Sequence, residues 1–215
     1  MHSSRLSFKE GYELTLKNSE GLFKISELAA QQNEFGIACS LNILAAEEAL
    51  KASFLITQHY HPGQKVNDID EIFRNHKIKH KHLKAFVHLK TVLNERTKKN
   101  LALFEPHLKT LENRSKEGKL ANKALYDSLK KDIEWFKKQL KNDFDDDAMI
   151  NWLTQANTDK NLGFYVDKKD DVWTNPQVIT KSKFLKEREY TNAIFQLVKG
   201  FEETFQRSEV GKKRS

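Results

Sequence analysis

FGIACSLNILAAEEALKASFLITQ, residues 35–58, is the most apolar stretch of the chain. Ile37, Leu41, Leu44 and Leu55 recur at helical spacing, and so do Ile43, Leu50 and Phe54. Two apolar stripes on one helix predict a helix buried on most of its sides. Such a helix needs neighbours, and the flanking sequence supplies them. Residues 7–32 place Phe8, Tyr12, Leu16 and Phe23 on one stripe, with Leu22, Ile25, Leu28 and Ala29 widening it. The polar break Gln31-Gln32-Asn33 separates this first helix from the second. His61-Pro62-Gly63 is the expected end of the second, because proline cannot continue a helix and glycine turns the chain.

Further along, Asp68-Ile69-Asp70-Glu71 reads as a helix start, its acids matching the positive end of the dipole. One helix, or two in tandem, is expected from there to about Leu103, closed by Pro106, with a polar connection over 107–119. Leu125, Leu129, Ile133, Phe136 and Leu140 mark an amphipathic helix over 120–142. Asp145-Asp146-Asp147 is expected to cap a short helix holding Met149, Ile150, Trp152 and Leu153. Residues 157–180, rich in aromatics and turn formers, read as an ordered loop with a short extended piece. A last helix over 181–206 carries Tyr190, Ile194, Leu197, Phe201 and Phe205 on one face. The expected architecture is therefore all-α, an up-and-down helical bundle with additional C-terminal helices. It is read as a single domain over 1–210: a bundle core over about 7–142, a C-terminal elaboration over about 143–207, and a disordered basic tail over 208–215.

Composition agrees. Only 3 Pro and 8 Gly interrupt 215 residues. Apolar residues make up 38% of the chain, a lean core for so many helices, and packing against a second copy would complete it. A homodimer is the expected state. The net charge of +7 favours polyanionic partners such as RNA or a ribosome, without choosing among them. The single cysteine, Cys39, cannot form an internal disulfide, which fits a reducing cytoplasm. No run approaches the roughly 18 apolar residues of a membrane helix, and the first residues lack the apolar run of a signal peptide. A cytoplasmic protein with no membrane partner is expected.

Three places carry chemistry. From Ile72 to Asn94 there is no acidic residue, and four of the chain's 8 histidines, His76, His80, His82 and His88, fall there. Imidazole exchanges protons near neutral pH, and the arginine fork clamps phosphate. Metal-free RNA cleavage needs that pair: one group to move the ribose 2′-hydroxyl proton, and a cation on the phosphorus centre. Arg74, His80 and His76 are the catalytic candidates, and Lys77, Lys79, Lys81 and His82 the RNA-binding ones. The same spacing also describes a solvated basic face. His76 and His80, four apart, suit a zinc pair, but no third ligand is evident, so no metal and no cofactor is expected.

The second place is Glu47-Glu48-x-x-Lys51. Glu47 and Glu48 each lie on an apolar stripe, so at least one carboxylate faces the interior and requires a partner. Lys51, Arg74 or a histidine of the next helix could supply it. The carboxylate is then either a polar tie that fixes helix register or a supporting group that orients the Arg or His. The third place is the loop Tyr165-Val166-Asp167 with Trp173 and Pro176, suited to packing the bundle end or to binding a partner. Asp143, Asp145, Asp146 and Asp147 lack the glycine and distal glutamate of a calcium loop and read as helix capping.

Together these landmarks resemble the AbiV family of abortive-infection proteins, in the HEPN superfamily. The resemblance rests on Glu47-Glu48-x-x-Lys51 after Ala38-Cys39-Ser40-Leu41, on Phe73-x-x-His76-x-x-Lys79, and on Leu162-Gly163-Phe164-Tyr165-Val166-Asp167 with Trp173 and Pro176 following. It implies a HEPN-like helical bundle that dimerises across one groove. It also implies an Arg-spacer-His ribonuclease signature, matched here by Arg74 and His80 with five residues between. The implied role is bacterial antiviral defence, arresting translation and phage multiplication once a phage-encoded trigger protein is sensed. The alternative is a non-catalytic HEPN protein that blocks translation by binding a ribosome, a translation factor or a phage protein. On a straight helix Arg74 and His80 point about 120° apart. They converge if a helix begins near Arg74, or if a dimer partner supplies one of them.

Overall fold

A computed structural model of the chain describes residues 7–61, 69–116, 123–140, 146–169 and 171–212. Seven α-helices are described: α1 (Phe8–Gln31), α2 (Phe35–Tyr60), α3 (Ile69–Arg74), α4 (His76–Lys116), α5 (Lys123–Leu140), α6 (Asp146–Phe164) and α7 (Lys181–Lys212). Between α6 and α7 lie the strands β1 (Asp167–Lys169) and β2 (Val172–Thr174), then a 3₁₀ turn (Pro176–Val178). The all-α expectation holds. The chain forms two compact units, one of Met1–Phe86 with Asp147–Ser215, the other of Val87–Asp146. Among the described residues no helix is long and apolar enough to cross a membrane.

In the first unit α2 is the axis, with 16 of its 26 residues buried. It packs on α1 along one side and on α7 along another. The buried face is made largely of small residues, Ala38, Cys39, Ala45, Ala46, Ala49 and Ala52, while Ile37 is exposed and Leu41 and Leu44 are half-buried. Of the two expected stripes, Ile43, Leu50 and Leu55 are buried, so the helix is covered on most of its sides as expected, with Ile37 outside the core. Small side chains let backbones approach closely, and the large Ile43, Leu50, Leu55 and Ile56 are buried with them. Helix α1 answers in kind: its buried residues are Tyr12, Ser19 and Ser26, seven apart, the repeat of a helix-packing seam. The two serine hydroxyls are satisfied across it. Ser19 Oγ donates to the Ala45 carbonyl at 2.6 Å, and Ser26 Oγ to Asn42 Oδ1 at 2.6 Å. A buried hydroxyl left unbonded would cost about 1–3 kcal/mol, so these bonds fix the register of the pair.

Ser7 and Glu10 form a reciprocal capping box that starts α1. Asn33, with φ of 63°, makes the left-handed turn into α2 that asparagine tolerates better than most residues.

The end of α6, the start of α2 and the 3₁₀ turn interlock through two glycines. A Cβ on Gly163 would stand 2.2 Å from the Gly36 carbonyl oxygen and 2.2 Å from Ser40 Oγ, and one on Gly36 would stand 2.7 Å from the Pro176 carbonyl oxygen. Ser40 Oγ also donates to the Lys160 carbonyl at 2.7 Å. This interlock is the structural role of the Leu162-Gly163-Phe164 motif. Beyond it α6 ends at Phe164 and β1 and β2 pair antiparallel, with Lys168 opposite Trp173. The residues expected to form an ordered loop are thus helix to 164, then a hairpin on which Tyr165, Val166 and Trp173 are exposed.

Two further boundaries differ from expectation. Helices α3 and α4 are indeed in tandem, but α4 runs through Pro106 to Lys116, where a polar connection was expected. Proline removes one backbone hydrogen bond and strains a helix without obliging it to end, and the surrounding Leu, Ala, Lys and Glu are strong helix formers. In the second unit α5 is tied to the far part of α4 by Lys137–Glu105 at 2.6 Å, with Leu101 and Ile133 buried. Helix α7, expected in a C-terminal elaboration, packs along α2 in the first unit and continues to Lys212, past the expected start of the tail at 208. The expected stops and caps at Pro62, Gly63, Asp68, Asp143 and Asp145 and the tail residues 213–215 lie outside the described residues.

Candidate functional site

The tandem break between α3 and α4 falls inside the Arg74–His80 segment. Asn75 is the break. Its N–H closes the last turn of α3 on the Glu71 carbonyl at 2.7 Å, and its own carbonyl accepts from Lys79 N at 3.1 Å in the first turn of α4. Asn75 Oδ1 lies 3.4 Å from the Ile78 N–H, where an N-cap side chain sits. Arg74 is thus the exposed last residue of one helix and His80 belongs to the second turn of the next. The angular conflict of a single straight helix does not apply.

His80 is buried, and its Nε2 lies 2.9 Å from Glu47 Oε1. Glu47, on α2, is 1% exposed and holds two ammonium groups besides: Lys160 Nζ at 3.0 Å from Oε1 and Lys79 Nζ at 3.4 Å from Oε2. Three elements therefore meet on one carboxylate. The same rule places all of them. His80 precedes the buried Leu83 and Val87 of α4 by helical spacing, and Lys160 lies on the buried line Met149, Leu153, Ala156, Gly163 of α6. A single carboxylate facing an imidazole and two ammoniums offsets part of their desolvation. Burial nonetheless holds the Lys79 ammonium below its ordinary pKa, outweighing the attraction of Glu47, with Lys51 adding repulsion.

The other candidates are distributed around this core. Glu48 is paired with Lys51 and accepts from Asn18 Nδ2 at 3.2 Å. Lys51, one partner considered for Glu47, thus serves Glu48 instead, and it also lies 5.5 Å from the Phe73 ring centroid. Lys79, expected to meet RNA, is turned inward on Glu47, whereas Lys81 is exposed. His82 is half-buried with its ring edge-on to Phe54 at 5.4 Å. The side chains of His76 and Lys77 lie outside the described residues. Among the described residues no three His, Cys, Asp or Glu side chains are grouped so as to hold a metal ion.

A family model described as AbiV, of the HEPN group, matches residues 7–196. The chain belongs to the AbiV family. Family membership makes it a HEPN-type abortive-infection protein. No curated protein and no solved structure matches the chain. The matched span includes Glu47, Arg74, His80 and Lys160, and both glycines of the interlock.

Lys160 was not singled out from the sequence of this AbiV-family chain, and neither was a second polar cluster. Asp159, Lys183 and Glu187 come together where α6 meets α7, with Trp152 and Tyr190 beside them in a pocket of about 300 Å³. Lys183 Nζ lies 2.7 Å from Asp159 Oδ1 and 4.0 Å from Glu187 Oε1. The Glu187 carboxyl is 2% exposed and neither oxygen accepts a hydrogen bond. The Cys39 thiol and the Trp152 indole N–H approach closely enough to favour its charge, but not in hydrogen-bonding geometry. Burial, reinforced by Asp159, outweighs them and Lys183, and pushes the carboxyl from its ordinary 4.5 up to about 7. The signal was present in the sequence: Phe184, Glu187, Thr191, Ile194 and Val198 form one buried line with a carboxylate in it.

A carboxyl whose folded pKa is raised favours the fold in its protonated form. Its contribution is most favourable below about 4.5 and turns into a cost as pH rises through about 7. Glu187→Gln is therefore expected to raise stability at pH 8 by about 2–3 kcal/mol, at 1.36 kcal/mol per pKa unit, and to change little at pH 4.5. Thermal unfolding at both pH values measures this. A Gln effect of equal size at the two would refute the assignment.

Proposed function

We propose that this chain arrests phage multiplication as a metal-independent HEPN ribonuclease, working as a homodimer that cuts RNA with Arg74 and His80. The observation that carries the reading is the helix break at Asn75 within the motif, together with the Glu47–His80 contact of 2.9 Å. Glu47 anchors Nε2 and fixes the ring, leaving Nδ1 to exchange a proton with the ribose 2′-hydroxyl. Arg74, exposed at the end of α3, supplies the fixed positive charge for the phosphorus centre. Lys81, exposed beside His80 in sequence, attracts the RNA backbone. The protein acts in the cytoplasm, on free RNA or on the ribosome, after a phage-made trigger protein is sensed.

A second reading is favoured by one observation, the burial of His80 and Lys79 on Glu47. In it the cluster is a polar tie that fixes α2, α4 and α6, and the exposed basic face binds a ribosome or phage protein without breaking a bond. Incubation of the purified protein with bacterial RNA and ribosomes, in EDTA and with extract from infected cells, separates the two. The first reading expects RNA cleavage that Arg74→Ala abolishes with the helical content unchanged. Arrest of translation with intact RNA, undiminished in Arg74→Ala, would replace it by the second.

A further inference from the structure

The pocket where α6 meets α7 is lined by two buried groups that make no hydrogen bond, although Lys183, Cys39 and Trp152 lie close enough to Glu187 to favour its charge. Glu187 offers two acceptor oxygens, and Trp152 Nε1–H offers one donor, with no hydrogen-bond partner for any of the three. Native structures rarely leave such groups unpaired, because each costs about 1–3 kcal/mol or more. Both residues line the same cavity, with these three atoms buried beneath its surface. Its walls include the Trp152 and Tyr190 rings, whose centroids are 5.3 Å apart and whose planes are tilted by 33°. At its edge the exposed Lys186 ammonium lies 5.9 Å from the Tyr190 ring centroid. Lys183, about one third exposed, bridges to Asp159 and covers the approach to Glu187.

We propose that this pocket binds the guanine base of a nucleotide, with the Trp152 and Glu187 side chains reading the base edge and Lys186 facing the phosphate. Two adjacent acceptors beside one donor is the complement of the guanine Watson–Crick edge, whose N1–H and N2–H₂ donate while O6 accepts. Adenine presents one donor group beside an acceptor, and uracil one donor between two acceptors; neither fills both carboxylate oxygens. The flat base meets the aromatic walls, as bases do on aromatic side chains. The volume of about 300 Å³ suits one nucleotide and is at the small end for ligand pockets. Swinging Lys183 from Asp159 toward the phosphate opens the floor. The site is separate from Arg74 and His80 and does not depend on their being catalytic. Helix α6 carries both, since Asp159 lines the pocket and its neighbour Lys160 holds Glu47.

Titration calorimetry of the full chain with GMP, AMP and XMP, and with a short guanine-containing RNA, tests the assignment. GMP is expected to bind at least about tenfold tighter than AMP. Glu187→Gln, which keeps the fold, should lose GMP and gain XMP, because its amide can donate to the xanthine 2-oxo group while still accepting from N1–H. Arg74→Ala should leave GMP binding unchanged. Binding of the RNA but not GMP, lost in Glu187→Gln, would make the source of the base a strand rather than a free nucleotide. Absence of both kinds of binding at millimolar ligand, or equal GMP binding by wild type and Glu187→Gln, would overturn the proposal.

Discussion

Glu47→Ala is expected to destabilise the first unit by about 3–5 kcal/mol, the cost typical of breaking a buried ion pair from one side. The residue is 1% exposed, and removing it takes a shared carboxylate away from Lys79, Lys160 and His80. Against a total stability of about 5–15 kcal/mol for an ordinary domain, that is a large share. The cost comes from the stranded cations rather than from the lost attraction. Glu47→Leu combined with Lys79→Met and Lys160→Met should therefore recover most of the loss, since apolar groups of similar volume replace buried ion clusters at little cost. Urea denaturation of the single and triple variants measures both. A single variant within about 1 kcal/mol of wild type would mean that water reaches the cluster and the carboxylate does not hold it.

How α1 and α2 pair shows what a sequence reveals and what it hides. Helical periodicity identified both helices to within a residue or two, because an apolar stripe is a local property of the chain. It found the buried Tyr12, Ile43, Leu50 and Leu55 but missed the polar residues between them. Ser19 and Ser26 face Ala45 and Asn42, and serine carries no apolar signal. Close approach and hydrogen bonding across a seam depend on the partner helix, which periodicity does not include. Pro106 failed for a related reason. Its local preference is to end a helix, but the residues on either side favour continuing, and α4 proceeds to Lys116. The hairpin between α6 and α7 was legible only as something other than helix, since strands of three residues are too short to show alternation.

For the site, the sequence identified that a carboxylate on α2 would be buried and that a histidine of the next helix could meet it. Glu47 and His80 do so. Lys160, 113 residues away along the chain, could not be paired with Glu47 without the fold. It was detectable in another way. A lysine within the buried line of α6, like the glutamate within the buried line of α7, is a charge where only apolar residues repeat. Such a charge is either paired or reserved for a ligand. Lys160 is the first case and Glu187 is proposed as the second.

His80→Ala is expected to reduce RNA cleavage by about 10²–10⁴-fold, the usual contribution of a general acid or base. Under the ribonuclease reading His80 is the proton-transfer group and Glu47 a positioning residue. The two should then fail differently. Alanine at 80 removes the group that exchanges the proton, so cleavage falls whatever the RNA concentration. Glu47→Gln keeps a hydrogen-bonding oxygen beside Nε2 but loses the charge that fixes the ring, so it should lower kcat while leaving KM near its wild-type value, because Glu47 never touches RNA. A merely structural carboxylate would move neither parameter in the fraction of protein that stays folded. The decisive comparison is His80→Ala with Lys81→Ala. Lys81 is exposed and one residue away, and its loss should raise KM and flatten the salt dependence without abolishing cleavage. If His80→Ala cleaves as fast as wild type while Lys81→Ala binds RNA more weakly, the proton is moved elsewhere and His80 serves Glu47 rather than the reverse.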